Sequence, residues 1–484
     1  MPPGIQELTR EELLGVVNSL YYENQNLRKL IFGAKSERFV PTENTQQTEL
    51  DFGAAFVQPA EATENTTEVI TYEREKSSNK TKPSRQPIPE HLPRVVHSIA
   101  PEEEVTDLVK IGEEITEELE YTPGKLFVNR YVRPKYVKPT EAGNKIIIGQ
   151  LPERPLPKCI AGPNLLSALI IAKFIDHLPL YRQAQMFKRQ GIELSDSTLG
   201  GWVNAVAKLL QPLYDAQKKK ILSASYLQAD ETPIEILESE KTGSTHRGYH
   251  WVYQDPLKRL VLFDYRQGRG REGPKEILKQ FTGYLQTDGY GVYNELGKRE
   301  GITQLHCWAH ARRKFSEAQD SDRAHAHYVL GEIQKLYAVE KEIREQALSE
   351  QEVLNYRQDK SLPVITALQK WMLAAKTAVL PKSPMGKAIE YTLSRIETLE
   401  IYTTNSALQI DNNLTENAIR PVALGRKNYL FAGSHQAAQH AAIFYSLFAT
   451  CKANNINPQQ WLSTTLQKIA NHPINRIEEL LPAT

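Results

Sequence analysis

The sequence predicts a mixed α/β core interrupted by a long helical insertion, and three observations carry that expectation. The pentad Tyr226-Leu-Gln-Ala-Asp230 returns as Tyr284-Leu-Gln-Thr-Asp288, so two short apolar strands each end in a lone carboxylate. Around them, residues 223–315 alternate in the order three strands, a helix, a strand, a helix and a fifth strand. Residues 316–403 then read as helix almost throughout, before Asp411-Asn-Asn-Leu-Thr-Glu416 opens one more. That order is the order of an RNase H-like α/β core, predicted here over residues 223–435 with the insertion at 316–403.

The elements follow from local signals. Tyr226–Ala229 is the first strand of the core; Tyr249–Tyr253 and Arg259–Asp264 are the next two, with a turn at Asp255-Pro256 between them. A helix over Gly273–Phe281 leads to the strand ending at Asp288, and a short helix at Tyr293–Leu296 leads to Thr303–Cys307. A basic helix, Ala309–Phe315, comes next. Upstream, residues 158–222 read as a helical, helix-turn-helix-like domain: Leu165–Leu178, then Arg182–Gln190, then a third helix after Gly191 capped by Ser195 or Asp196. Residues 91–157 read as a small β-rich module, with a strand pair inside Lys125–Lys138. Residues 41–90, polar and short of large apolar side chains, read as a disordered linker. The N-terminal 1–40 reads as a coiled-coil helix, with Leu13, Leu20 and Leu27 at d and Val17, Asn24 and Ile31 at a, behind a Thr9/Glu12 capping box. Residues 436–484 close the chain with amphipathic helices at Ala437–Lys452 and Pro458–Ala470.

Bulk composition narrows the classes. With 484 residues, two to four domains are expected. The net charge of +1 means that any nucleic-acid surface must come from local basic clusters. Three scattered cysteines (Cys159, Cys307, Cys451) argue against a disulfide framework or a cysteine-rich zinc module. The N-terminus lacks a signal peptide's apolar core and no apolar run reaches membrane-spanning length, so a cytoplasmic protein without a membrane partner is expected.

The candidate chemistry lies in Asp230, Asp288 and Glu416. Two strand-end aspartates followed by a distant helical glutamate suit a site that holds two divalent metals and cuts phosphodiesters, because hard cations take carboxylate oxygens. Each also has an ordinary reading. Asp230 beside Thr232-Pro233 fits a turn cap, Asp288-Gly289 is a turn dipeptide, and Asn413-x-x-Glu416 has capping-box spacing with Arg420 at i+4. Asp411 competes as the third carboxylate. His306 and His310 stand at i, i+4, but no third zinc ligand is evident. His310, Arg312, Arg313, Lys314, Arg420, Arg426 and Lys427 are the expected DNA contacts; Arg266-Gln-Gly-Arg-Gly-Arg271 is a further basic, glycine-rich loop.

At these residues the chain resembles the insertion sequence 66 family of bacterial DDE transposases. The runs that carry the likeness are Leu30–Arg38, Asp176–Arg182, Gln228–Pro233, Thr287–Tyr290, Cys307–Phe315, Asp411–Asn413 with Glu416, and Gly425–Asn428 before Phe431–Ser434. The resemblance implies a zipper-like N-terminus, an RNase H-like catalytic domain and Asp230, Asp288 and Glu416 as catalytic triad. It further implies Mg2+ or Mn2+ as two bound ions, double-stranded DNA (element ends and target) as partner, a homo-oligomer when ends are paired, and small accessory proteins of the same element. A structure-selective nuclease without strand transfer and a non-catalytic DNA-binding regulator stand as alternatives. One departure is plain: the family's zinc-finger-like module is cysteine-rich, whereas residues 91–140 contain no cysteine, so no zinc is expected.

Overall fold

A computed structural model describes residues 124, 126–132, 135–140, 143–148, 152–157, 159–238 and 244–482. The N-terminal zipper and the linker lie outside the described residues, as does most of the 91–157 module. Tyr131 onward falls within one compact unit.

The first described elements are a hairpin, β1 (Lys135–Thr140) and β2 (Gly143–Ile148), paired antiparallel from Lys135↔Ile148 to Thr140↔Gly143. The strand pair thus lies later than the expected 125–138; residues 126–132 carry no ladder. The run Ile146-Ile-Ile148 supplies the β-branched partner strand that the earlier stretch lacks. Three helices follow: α1 (Pro163–Phe174), α2 (Leu180–Arg189) and α3 (Asp196–Leu222). Gly191 at φ +83° separates α2 from α3, and the Ser195 side chain caps α3 by accepting from Thr198 N. α1 stops at Phe174, short of the expected Leu178, because His177 takes a left-handed φ of 58° before Pro179.

The core sheet holds β3 (Tyr226–Ile236), β4 (His246–Asp255), β5 (Leu260–Arg266), β6 (Gly283–Thr287) and β7 (Ile302–His306) in the order β5-β4-β3-β6-β7. β3, β4 and β5 are antiparallel neighbours, while β6 and β7 run parallel to β3. The short helices α4 (Glu272–Ile277) and α5 (Asn294–Gly297) fall in the expected places between strands. α6 (Trp308–Glu317) follows β7, and the insertion then runs through α7 (Arg323–Gln346), α8 (Glu350–Tyr356), α9 (Leu362–Lys376), α10 (Pro384–Leu393) and α11 (Ile396–Glu400). α12 (Asn413–Tyr429) carries Glu416, β8 (Phe431–Ala432) adds to the far end of β3, and α13 (His435–Ala453) and α14 (Pro458–Lys468) finish the fold.

Strand alternation divides two cores across the sheet. Leu227, Ala229 and Leu285 join the cluster built by α1, α3, α13 and α14; Tyr226 and Leu305 join the cluster built by the insertion. The first cluster unites the helices before and after the sheet in one core. α13 is buried almost all round, not amphipathic as expected, because it lies against both α3 and β5. It also closes the edge of the sheet. Outward backbone groups of β5 are met by side chains: Ser446 Oγ accepts from Phe263 N and Thr450 Oγ1 from Val261 N, while Tyr214 and Gln217 of α3 donate to the Phe263 and Val261 carbonyls. An edge strand sealed in this way has no free ladder to offer another chain.

The insertion has a polar clamp at its centre. Arg357 is buried and pairs both nitrogens of its fork with Glu340 at 2.8 Å, and it donates as well to the carbonyls of Tyr402, Asn405 and Leu408. Every arm of the guanidinium is used, which is the condition for a buried ion pair to be tolerated. It fixes the descending segment 402–408 that leads to α12.

Candidate active site

Asp230 is delivered by β3, though not at its end. The expected strand Tyr226–Ala229 continues to Ile236, and Asp230 pairs with Val252 in its interior. What ends near Asp230 is the pairing with β6, whose last partners are Gln228 and Gln286. Pro233 is accommodated because this flank of β3 is open there: its carbonyl accepts from Arg426 on α12, so a ladder donor is not needed on that side. Tyr226 pairs with Tyr284, an offset of 58 (284 − 226), and Asp288 lies at the same offset from Asp230 (288 − 230). The first three positions of the repeated pentads therefore pair in register, and the two aspartates follow where the strands part, each within electrostatic reach of the other.

Asp288 sits just past β6 in a turn fixed on two sides. Its Oδ1 accepts from Tyr290 N at 2.8 Å, and its carbonyl accepts from the Tyr391 hydroxyl of α10 at 2.6 Å. Arg395 donates to the next carbonyl, Gly289 O, and stacks on the Tyr391 ring at 4.2 Å. Gly289 adopts φ +89°, and a Cβ there would stand 2.6 Å from Arg395 Nε. The turn dipeptide reading of Asp288-Gly289 is thus correct locally, and the turn is also what aims the carboxylate.

Glu416 lies in the first turn of α12, but it does not serve as a capping-box partner: Asn412 is the cap residue and makes no side-chain cap bond. The carboxylate instead faces α6, where Arg313 Nη2 lies 3.3 and 3.4 Å from its oxygens and His310 Nε2 lies 3.5 Å away. α6 and α12 meet because Trp308 N donates to Ile410 O and Asn412 N to Cys307 Sγ. Asp411 is engaged elsewhere, accepting from the Tyr337 hydroxyl of α7 at 2.9 Å and from Asn413, so it anchors the insertion to the start of α12.

The electrostatics tie the three carboxylates together. Burial and the nearby negative charges of Glu231, Asp288 and Glu416 push Asp230 up to about 8, against the single favourable bond from Glu231 N. Burial lowers His310 from the usual imidazole range, although Asp288 and Glu416 pull the other way. Its Nδ1 is buried with no partner. Among the described residues, no three His, Cys, Asp or Glu side chains are drawn together as a ready cage for a metal ion; Glu416 is turned to Arg313 and His310. The donor set nonetheless suits a hard divalent cation: three carboxylates, of which Asp230 is buried beside the negative charges of the other two. His306, the other histidine of the i, i+4 pair, bonds Thr398 and does not face His310's partner.

The expected basic contacts separate into two groups. Arg312, Lys314, Arg420 and Lys427 are exposed, Arg312 and Lys314 on α6 and Arg420 one turn after Glu416 on α12, whereas Lys427 lies in the last turn of α12, at the opposite end from Glu416. Arg313 is occupied by Glu416, and half-buried Arg426 is directed into β3, donating to Thr232 Oγ1 at 3.1 Å. The basic loop Arg266–Arg271 was expected, but not the pairing of its Arg269 with Glu231. Arg269, from the glycine-rich loop, binds Glu231 at 2.6 Å and lies over the Tyr290 ring at 4.1 Å, beside Asp288. Sequence reading missed Gln228 and Gln286, whose signal was present in the repeated Leu-Gln-x-Asp.

Residues 158–440 match the Transposase IS66 family and residues 446–483 its C-terminal element. Residues 19–96 match Transposase C of IS166 homeodomain, overlapping the predicted zipper and linker. The chain belongs to the IS66 transposase family. It is 31% identical over 505 residues to uncharacterized protein y4jD of Sinorhizobium fredii, spanning 100% of this chain and 96% of that one. Two more S. fredii proteins, y4hP and y4qI, are 31% and 32% identical over 95% and 94% of the chain and 87% of each relative. Residues 104–137 match the zinc-finger binding domain of transposase IS66, which corrects the expectation of no zinc. That expectation rested on the missing cysteines of 91–140 and on the lack of a third ligand beside His306 and His310. Among the described residues, no helix is long and apolar enough to cross a membrane.

Proposed function

We propose that this protein is a DDE-type DNA transposase, with an RNase H-like core that carries Asp230, Asp288 and Glu416 as its catalytic carboxylates. The observation that carries the reading is the in-register pair of pentads, which sets two aspartates together at the parting of β3 and β6 with Glu416 within electrostatic reach of Asp230. Divalent cations bound by the three carboxylates would stabilise charge on the attacking and leaving oxygens of a phosphodiester. The remaining roles belong to the chain's own groups. His310 holds Glu416 on one side and Arg313 holds it on the other. Exposed Arg312, Lys314, Arg420 and Lys427 supply the phosphate contacts that hold double-stranded DNA across the acids. Water cleaves the phosphodiester at each element end, leaving a 3′-hydroxyl; that hydroxyl displaces an oxygen from a target phosphodiester in the same site. A homo-oligomer that pairs two ends, assisted by accessory proteins of the element, completes the proposal.

Labelled element ends incubated with a supercoiled target plasmid and a divalent cation test the reaction type. Joined products are expected. Cleaved ends that never join would favour a nuclease, and intact ends bound without cleavage would favour a DNA-binding regulator.

A further inference from the structure

The two glutamines that precede the aspartates form a buried polar node beneath the site. Gln228 and Gln286 are both 0% exposed. They are register partners on β3 and β6, each two residues before its aspartate and so on the same face. Gln228 Nε2 lies within hydrogen-bond distance of Gln286 Oε1 (2.9 Å), Tyr226 Oη (3.1 Å), Gln409 Oε1 (3.1 Å) and Asp411 O (2.9 Å). Gln228 Oε1 accepts from Thr415 Oγ1 at 3.1 Å, and Gln286 Nε2 donates to Gln409 O at 2.9 Å. Thr415, also buried, immediately precedes Glu416. One node therefore touches the strand of Asp230, the strand of Asp288 and the first turn of the helix that bears Glu416.

A purely apolar contact would seal this junction as well, so the choice of a polar one has a physical meaning. An apolar contact sets no direction between its partners, whereas displacing a member of a buried hydrogen-bond network leaves polar groups unpaired. A member left unpaired in the interior keeps its desolvation penalty with nothing to offset it. The segment that must be fixed is reached through the whole insertion, 128 positions after Asp288 (416 − 288), so local sequence cannot hold it in place.

We infer that Gln228, with Gln286 and Thr415, is a positioning element that sets Glu416 against the two aspartates. Gln228 touches no reacting atom; it acts through the carboxylates. The inference rests on the proposed catalytic reading, and the experiment separates the two. Gln228→Met keeps length and packing volume and removes the bonds; Thr415→Val is isosteric and removes one bond at the rim. Outer partners of metal ligands typically contribute 10–100-fold in metal affinity or activity. Gln228→Met is expected to weaken Mn2+ binding, read by calorimetry on the full chain, by about that factor, and to lower kcat for end cleavage with KM for DNA ends unchanged. In the cation-free protein, amide hydrogen exchange over residues 409–416 should quicken. Thr415→Val should show the same changes to a smaller degree, and it decides the matter if Gln228→Met does not fold. Thr415→Ser, which restores the donor, should recover both Mn2+ affinity and kcat. Folded variants with wild-type Mn2+ affinity, exchange and kcat would overturn the inference. If Asp230→Asn abolishes cleavage while these variants are unchanged, the network alone is wrong; if Asp230→Asn is also silent, the catalytic reading falls with it.

Discussion

Asp230 is the residue on which the account turns, and its environment makes a prediction before any DNA is added. Its carboxyl is raised from an unfolded value near 3.8 to about 8, so between those limits the folded chain binds more protons than the unfolded one. Stability without divalent cation should therefore fall as pH rises from 4 to 8, by on the order of a few kcal/mol. Asp230→Asn removes the buried charge, and its thermal melt should be flatter over the same range. A wild-type melt independent of pH, or one identical to the variant's, would show that Asp230 is not electrostatically stressed. Gly289 makes a second prediction at this scale. Gly289→Ala meets both a left-handed φ and the Arg395 side chain, so it should destabilise by about 1–3 kcal/mol in denaturant titration and disturb Asp288 through the shared turn. An unperturbed midpoint would mean that the turn is slack and does not aim the carboxylate.

The elements show what period and punctuation can and cannot reveal. The order of strands and helices was legible because apolar runs of four to eight residues, broken by turn signals, leave little choice of type. Strand length was not legible: Pro233 reads as a terminator, yet β3 passes through it because β6 has already diverged. The hairpin at β1 and β2 was displaced for a related reason, since local β preference does not say which partner completes a ladder. Least legible was the insertion's role as a support. Nothing in 316–403 announces that Tyr391 and Arg395 hold the Asp288 turn, or that Arg357 ties 402–408 to Glu340, because these bonds join residues far apart in sequence. Arg357→Ala leaves Glu340 buried without its partner and should cost about 3–5 kcal/mol. Calorimetry should show an earlier or separate transition for the insertion, and a single unshifted transition would argue that the clamp is dispensable.

Across the whole molecule, the sheet acts as a partition. One face is given to packing, with helices from before and after the core sharing a single apolar cluster; the other carries the acids and the insertion that frames them. The carboxylates were legible singly but weak, since each had a plausible turn or cap role. Their partnership came from register: the repeated pentads lie in the same offset that separates Asp230 from Asp288. That this region corresponds to the family's zinc-finger-like module was legible from the resemblance; the expectation of no zinc, drawn from its missing cysteines, is what the match of 104–137 overturns. The most direct test of the central claim is divalent-cation-dependent cleavage of the element's ends by the wild-type chain and by Asp230→Asn, with end binding followed in parallel. Cleavage by the wild type, none by Asp230→Asn and equal binding by both are expected; cleavage retained by the variant would rule out Asp230 as a catalytic carboxylate.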